Sequence, residues 1–194
     1  MKKLERSDLW SLEEYADKRS DFKSKVIAHK QYRQLPIGPN ATVYFEDNLT
    51  IQYHIQEMLR IERIFEAAAI EEELATYNPL IPDGSNWKAT LMIEFTDETE
   101  RRVALAKMRG IEDSIWMQLE GHDKITPFAN EDIERTNADK TSAVHFLRFE
   151  LDQKMITSLK CGANLSAGIT HVEYHHTVDV VPDSVRKLLL EDLD

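Results

Sequence analysis

Cysteine is nearly absent from this chain, with Cys161 alone among 194 residues. One thiol cannot close an internal disulfide or build a cysteine-based zinc site, so any metal would need nitrogen and oxygen donors. Long apolar runs are also missing, and no stretch approaches the roughly 18 residues of a membrane-spanning helix. The opening Met1-Lys2-Lys3-Leu4-Glu5-Arg6 has basic residues with no apolar segment behind them. That argues against a secretory signal and for a reducing, bacterial-type cytoplasm. Positive charge is in deficit, 24 Lys and Arg against 35 Asp and Glu, for a net charge of −11. A nucleic-acid partner would need a basic face to replace counterions, and an anionic membrane repels such a chain, so neither is expected. There is no internal repeat, low-complexity tract, Gly-x-Ser-x-Gly elbow or His-Glu-x-x-His helix.

What is present suits one domain over residues 1–194, with 42% hydrophobic and 30% charged residues. Ser11-Leu12-Glu13-Glu14 forms a capping box, and Leu12, Tyr15, Phe22 and Val26 recur at helical spacing up to Leu35-Pro36. Ala41 to Phe45 reads as a short extended piece, and Asp47 or Asn48 caps a second helix expected to reach Ala69, with Glu71 to Ala75 continuing it or opening a short successor. After the Asn78–Gly84 loop the periodicity changes. Trp87–Phe95 and Arg102–Met108 read as a hairpin about Thr96–Thr99, and Ser114–Glu120 with His122–Thr126 as a second about Gly121. Ser142–Phe149 is a further strand, and Asp152 caps a short helix ending at Cys161-Gly162, where the thiol reads as an inert core group. Asn164–Ile169 and His171–Val180 make a last strand pair broken near Gly168. Asp183 opens a C-terminal helix whose Val185, Leu188 and Leu189 could dock on the same subunit or on a second copy, so a homo-oligomer stays open. The expected fold is α+β. An N-terminal helical pair (1–78) packs on a mainly antiparallel sheet (84–181), which carries a short helix and is followed by the C-terminal helix (182–194).

The second helix carries the candidate chemistry. At about 100° per residue, Ile51, Ile55, Met58, Leu59 and Phe65 form one apolar stripe that contains Glu62, while Glu57 lies between Tyr53, Ile61 and Ile64 with His54 nearby. Only Gln52, Gln56 and Arg63 look wet. Glu57 and Glu62 are therefore expected to be buried, and buried carboxylates must be paired, hydrogen-bonded or protonated. Arg19 and Arg33 face inward from the first helix and Arg60 lies one turn from Glu57, so a structural network of Glu57, Glu62, His54, Arg19, Arg33 and Arg60 is the first reading. The second is a metal or acid–base site of His54, Glu57 and Glu62, donors that suit iron, manganese or zinc. Glu57 and Glu62 diverge around the helix by more than a third of a turn, which makes one shared ion difficult. A separate polar face, His171, Glu173 and His175, alternates along the expected last strand, with a solvent face as the plainer reading. His145 on a neighbouring strand could complete a His145/His175 ligand pair.

The blocks Phe45-Glu46-Asp47, Gln56-Glu57-Met58-Leu59-Arg60-Ile61-Glu62, Glu73-Leu74-Ala75-Thr76-Tyr77-Asn78-Pro79-Leu80-Ile81-Pro82 and Ala89–Glu94 resemble a bacterial group, the domain of unknown function family 3501. The resemblance spans nearly the whole chain and transfers no catalytic residue, because the family's activity is unassigned. It implies a setting among rubrerythrin-like and iron–sulfur proteins, close to peroxide defence or electron transfer. The leading expectation is an accessory partner- or ligand-binding protein in a redox or oxidative-stress context. The alternative is a small metal-dependent enzyme (Fe, Mn or Zn) using the His/Glu residues above. Whether the chain is an enzyme, and whether it holds a cofactor, the sequence leaves open.

Overall fold

The computed structural model describes residues 2–133, 135–137 and 139–194; Met1, which opens the basic N-terminal stretch, lies outside them. Ser11 caps α1 (Leu12–Lys30) as expected, its hydroxyl accepting from the Glu14 N–H while the Glu14 carboxylate accepts from the Ser11 N–H. The helix buries Tyr15, Phe22 and Val26. It leads into β1 (Gln34–Pro36) and β2 (Ala41–Phe45), an antiparallel hairpin. At its turn Gly38 has φ +76°, and a Cβ there would meet the His176 ring at 2.5 Å and the Tyr174 hydroxyl at 2.6 Å. No other residue fits that contact. Asp47 caps α2 (Asn48–Glu62) by accepting from the Thr50 N–H at 2.9 Å.

That second helix ends seven residues before the expected Ala69. Arg63 turns left-handed (φ 56°), the N–H groups of Arg63 and Ile64 close on the Leu59 carbonyl, and α3 (Ala67–Tyr77) begins separately. This is the helix termination that glycine normally makes, here with an arginine at a cost of about 1–2 kcal/mol, so the sequence carries no stop signal. The shorter helix changes the burial reading. Gln56, expected to be wet, is fully buried, whereas Glu62, Ile61 and Phe65 are exposed.

Two antiparallel sheets follow. β3 (Asn86–Ile93), β6 (Phe128–Ala129) and β7 (Val144–Glu150) join the first hairpin in the order β1-β2-β3-β7-β6. β4 (Ile115–Leu119), β5 (Lys124–Ile125), β8 (Leu165–His171) and β9 (Tyr174–Val178) form the second in the order β5-β4-β8-β9. The expected strand over Arg102–Met108 is helical instead, as α4 (Glu98–Lys107). Asp97 caps it through the Glu100 N–H, and Leu105 and Met108, three residues apart, reach the core while Val103 stays exposed. α5 (Gln153–Lys160) is capped by Asp152 and followed by Gly162 at φ +99°, as the spacing predicts, although Cys161 is exposed rather than in the core. β8 runs straight through Gly168, where a Cβ would meet the Trp116 ring at 2.5 Å, and the chain turns after His171. α6 (Asp183–Glu191) buries Val185 and Leu189 against its own subunit, and Leu193 then bridges to Gly84.

Among the described residues the core is divided. Both sheets and α4, α5 and α6 share one large cluster that includes Trp87, Leu91, Phe149, Ile115, Leu165 and Leu189. α2 and α3 close a second around Ile51, Ile55, Leu59 and Leu74, and α1 a third around Tyr15, Phe22 and Val26. No residue of α1, α2 or α3 belongs to the sheet core, so polar contacts join the helical layer to the sheets. Among the described residues no helix is long and apolar enough to cross a membrane.

Candidate functional site

Glu57 is the centre of a structural ion network. Its carboxylate accepts from Arg19 Nε at 2.7 Å, Arg19 Nη2 at 2.9 Å, the Tyr15 hydroxyl at 2.7 Å and Arg60 Nη2 at 3.1 Å. The Arg19 hydrogen bond, opposed by burial and helped by Arg60 and Tyr15, lowers its pKa to about 2. Arg33 does not join it. Buried at 3% exposure, Arg33 grips Asp192 through a fork at 2.7 and 2.9 Å, and its Nε lies 2.8 Å from Asp47. His29 shares Asp47 at 2.5 Å. This cluster ties the end of α1, the cap of α2 and the C-terminal helix together. Glu62 stands in solvent and takes no part in either network.

The expected metal sets are not assembled. Both Glu57 oxygens are saturated by donors, Glu62 points away, and the His54 ring packs against Tyr77. His145 is fully buried on β7, whereas His175 is exposed on β9 of the other sheet. His171 ends β8 and bonds the Arg109 carbonyl, and Glu173 lies in the following turn, so the three do not share one strand face. Among the described residues no group of three or more His, Cys, Asp or Glu stands where it could hold one ion.

A different constellation lies on the outer face of the five-stranded sheet, opposite its core. Glu46, just before α2, accepts from the Thr50 hydroxyl at 2.6 Å and from the Thr90 hydroxyl on β3 at 2.7 Å. Thr90 is paired in register with Tyr44 on one side and Phe146 on the other. The Arg135 guanidinium lies over the Phe146 ring at 4.5 Å. Arg135 is within electrostatic reach of Tyr77, whose ring meets His54 edge-on at 4.4 Å. His54 sits one helical turn beyond Thr50, which returns to Glu46 and closes the circuit. Burial lowers the His54 pKa, with Glu46 opposing, so its imidazole is neutral near pH 7. Tyr77 is pushed the other way, first by burial and then by Glu73 and Glu62.

This circuit contains three polar groups without a hydrogen-bond partner among the described residues: both nitrogens of His54, the Tyr77 hydroxyl and the buried Nε of Arg135. At the end of the same sheet face a cleft of about 630 Å³ opens over Met92 and Val144, edged by Asn40, Glu94 and Arg101. Met92 and Val144 are the next outward pair after Thr90 and Phe146, so circuit and cleft share one surface.

The loop that delivers Arg135 straddles the sheet edge. Arg135 reaches the outer face, and the adjacent Thr136 donates its hydroxyl to the buried Glu112. The Thr141 hydroxyl also reaches Glu112, at 3.4 Å, and lies 3.0 Å from His145 Nε2. The Ser142 carbonyl, 3.0 Å from Nε2, can only accept, which places the proton there and leaves Nδ1 to accept from the Asn130 amide at 3.1 Å. Burial lowers the His145 pKa, in keeping with this neutral form. Asn130 itself is left-handed (φ 52°) and its Oδ1 is buried without a partner among the described residues. Strain and orphaned polar atoms on one loop are features that structures keep mostly at functional sites.

His54 is the one circuit residue picked out from the sequence as a site candidate. Arg135, Phe146 and Glu112 are isolated in the sequence and carry no local signal. Glu46 and Tyr77 lie inside the blocks that carried the family resemblance, which was the only signal for them.

The family model described as "Protein of unknown function (DUF3501)" matches residues 3–193. A crystal structure of a novel protein of unknown function from Burkholderia pseudomallei K96243, at 1.90 Å resolution, is 47% identical, with each chain covered over 100% of its length and a TM-score of 0.94. No curated protein matches the chain.

Proposed function

The chain belongs to the DUF3501 family of proteins of unknown function, and from that premise we propose that it is an accessory protein binding a small ligand on the outer face of its five-stranded sheet. One observation carries this reading: the His54 ring meets Tyr77, Arg135 lies within electrostatic reach of Tyr77, and the buried Nε of Arg135 has no hydrogen-bond partner among the described residues. A buried donor without a partner costs about 1–3 kcal/mol, which a bound ligand would offset. Metal-dependent catalysis is the weaker reading, because the carboxylate that it needs most, Glu57, is neutralised by two arginines. The redox or oxidative-stress setting belongs to the same proposal. An accessory protein of this kind would act beside a rubrerythrin-like or iron–sulfur protein that supplies the redox centre.

The test is a small-molecule screen by protein-observed NMR on the intact chain. Hits that move the resonances of His54, Tyr77 and Arg135, and that are lost in Tyr77→Phe and Arg135→Gln, support the reading. Hits that cluster at another surface, or none, overturn it. Co-purification from its bacterial source with an iron-containing protein, seen by iron absorbance, would support the redox setting, and an iron-free preparation that elutes alone would count against it.

A further inference from the structure

We infer that the cleft at the end of the five-stranded sheet binds a small zwitterion with an apolar body, of the class of free apolar α-amino acids. Cleft and circuit share a sheet face but no residue, so this site and the one above can fail separately. The cleft holds about 630 Å³, within the roughly 300–1,000 Å³ of small-molecule sites. Its floor is apolar: Met92 and Val144 are paired in register across β3 and β7, with Phe95 beside them. Three charged side chains line it as well, Arg101, Glu94 and Glu100.

Arg101 sets the first requirement. Six arginines of this chain are buried or half-buried, and Arg19, Arg33, Arg135, Arg148 and Arg186 each hold a carboxylate. Arg101 is the sixth, and its guanidinium has no hydrogen bond or ion pair among the described residues. A guanidinium that has lost part of its hydration is best answered by a carboxylate, whose two oxygens match its fork. The glutamates set the second requirement. Glu94 is fixed in place, its carboxylate accepting from the Thr42 hydroxyl at 2.8 Å and its carbonyl from the Asn40 amide at 3.0 Å. Glu100 precedes Arg101 in α4 and so leaves the helix about 100° away from it. Neither glutamate has an ion pair among the described residues, and both negative charges therefore face the cleft uncompensated. A plain anion would meet those two charges, and a plain cation would leave Arg101 unanswered. An ammonium beside a carboxylate satisfies both, while an apolar side chain covers Met92, Phe95 and Val144.

Leucine, 4-methylpentanoate and 3-methylbutylamine share one apolar body and carry both charged groups, the carboxylate alone and the ammonium alone. Each is titrated into the methyl-labelled full chain while the Met92 and Val144 methyl signals are followed. Leucine is expected to bind most tightly. Loss of its carboxylate should weaken binding about tenfold, because Arg101 is half-buried, and loss of its ammonium about threefold, because both glutamates are exposed. Arg101→Gln breaks no pairing in the fold and should melt with the wild type, yet it is expected to remove the advantage of leucine over 3-methylbutylamine. Arg101→Lys keeps the charge without the fork and should restore part of that advantage. The inference is overturned if 3-methylbutylamine binds within about twofold of leucine, or if 4-methylpentanoate binds at least as tightly as leucine. An Arg101→Gln protein that binds leucine as well as the wild type overturns it too. So does silence at the two methyl signals, and probes that move His54 and Tyr77 instead would leave the earlier site standing without this one.

Discussion

Replacing Glu57 with Gln should destabilise the protein at neutral pH and remove part of its acid sensitivity. The Glu57 side chain is 13% exposed, whereas its partners Arg19 and Arg60 are 33% and 40% exposed. Arg19, then Arg60 and Tyr15, hold the carboxyl pKa at about 2 against an ordinary 4.5. At 1.36 kcal/mol per pH unit that difference has a ceiling of about 3 kcal/mol. Water reaching both arginines screens the pairs, so about 1–2 kcal/mol is the expected loss. Because the folded pKa is depressed, the stabilisation is fully present above the unfolded value near 4.5 and disappears as pH falls from there toward 2. Urea unfolding of the wild type and Glu57→Gln at about pH 7 and about pH 3 reads both effects, and the gap between the two proteins should narrow at the lower pH. Glu62→Ala is the control: exposed and outside the network, it should change stability by less than about 0.5 kcal/mol. A Glu57→Gln protein as stable as wild type at pH 7, or a gap that does not narrow in acid, would refute the argument.

Three other outcomes follow from the same structure. Asp192→Asn leaves Arg33 buried with half its neutralising charge gone, and should lower stability by about 3–5 kcal/mol in denaturant titrations. His145 has a folded pKa below the ordinary 6.5 because it is buried, so the unfolded chain takes up a proton that the folded one refuses. Stability should therefore fall as pH drops below about 6.5, and His145→Gln should show a flatter dependence between about pH 7.5 and 5.5. An unchanged slope would mean that His145 is not held neutral. Gly168→Ala places a methyl 2.5 Å from the Trp116 ring and 2.9 Å from the His176 carbonyl. It should cost about 1–3 kcal/mol and shift the tryptophan emission, which fluorescence-monitored unfolding reports together.

Elements marked by a local chemical device were readable from the sequence. Ser11 and Asp152 each cap a helix at the expected position, Asp47 rather than Asn48 caps α2, and Gly121 turns the second hairpin. Elements without such a device were misread. Arg63 ends α2 in a conformation that glycine usually signals, and Val103 with Leu105 imitates strand alternation although Asp97 begins a helix. The pairing of Glu57 with Arg19 was legible because it lies between neighbouring helices. Arg33 pairs with Asp192, 159 residues away, rather than with the carboxylates of the neighbouring helix, and helical spacing carries no sign of so distant a partner. The same reason hides the outer-face circuit, since a residue such as Arg135 gains meaning only from Phe146 and Tyr77, and neither spacing nor composition reveals that approach.

The division of the core bears on where the proposed site lies. α1, α2 and α3 bury their apolar residues in clusters separate from that of the sheets, so polar side chains such as Arg33, Glu46 and Thr50 join this helical layer to the sheets. Most of those groups have found partners: Arg33 with Asp47 and Asp192, and Glu46 with Thr50 and Thr90. Folding alone favours completing such pairings, because each orphaned donor or acceptor costs about 1–3 kcal/mol. Instead, Arg135 Nε and Asn130 Oδ1 are orphaned among the described residues on one loop, itself held by Glu112 and strained at Asn130, beside the unpaired Tyr77 hydroxyl and His54 imidazole. Two of the three buried unpaired atoms among the described residues lie on this loop, and the third, Arg33 Nε, faces the Asp47 carboxylate at 2.8 Å. A loop that keeps strain and two orphaned atoms together is where a binding requirement would leave its cost.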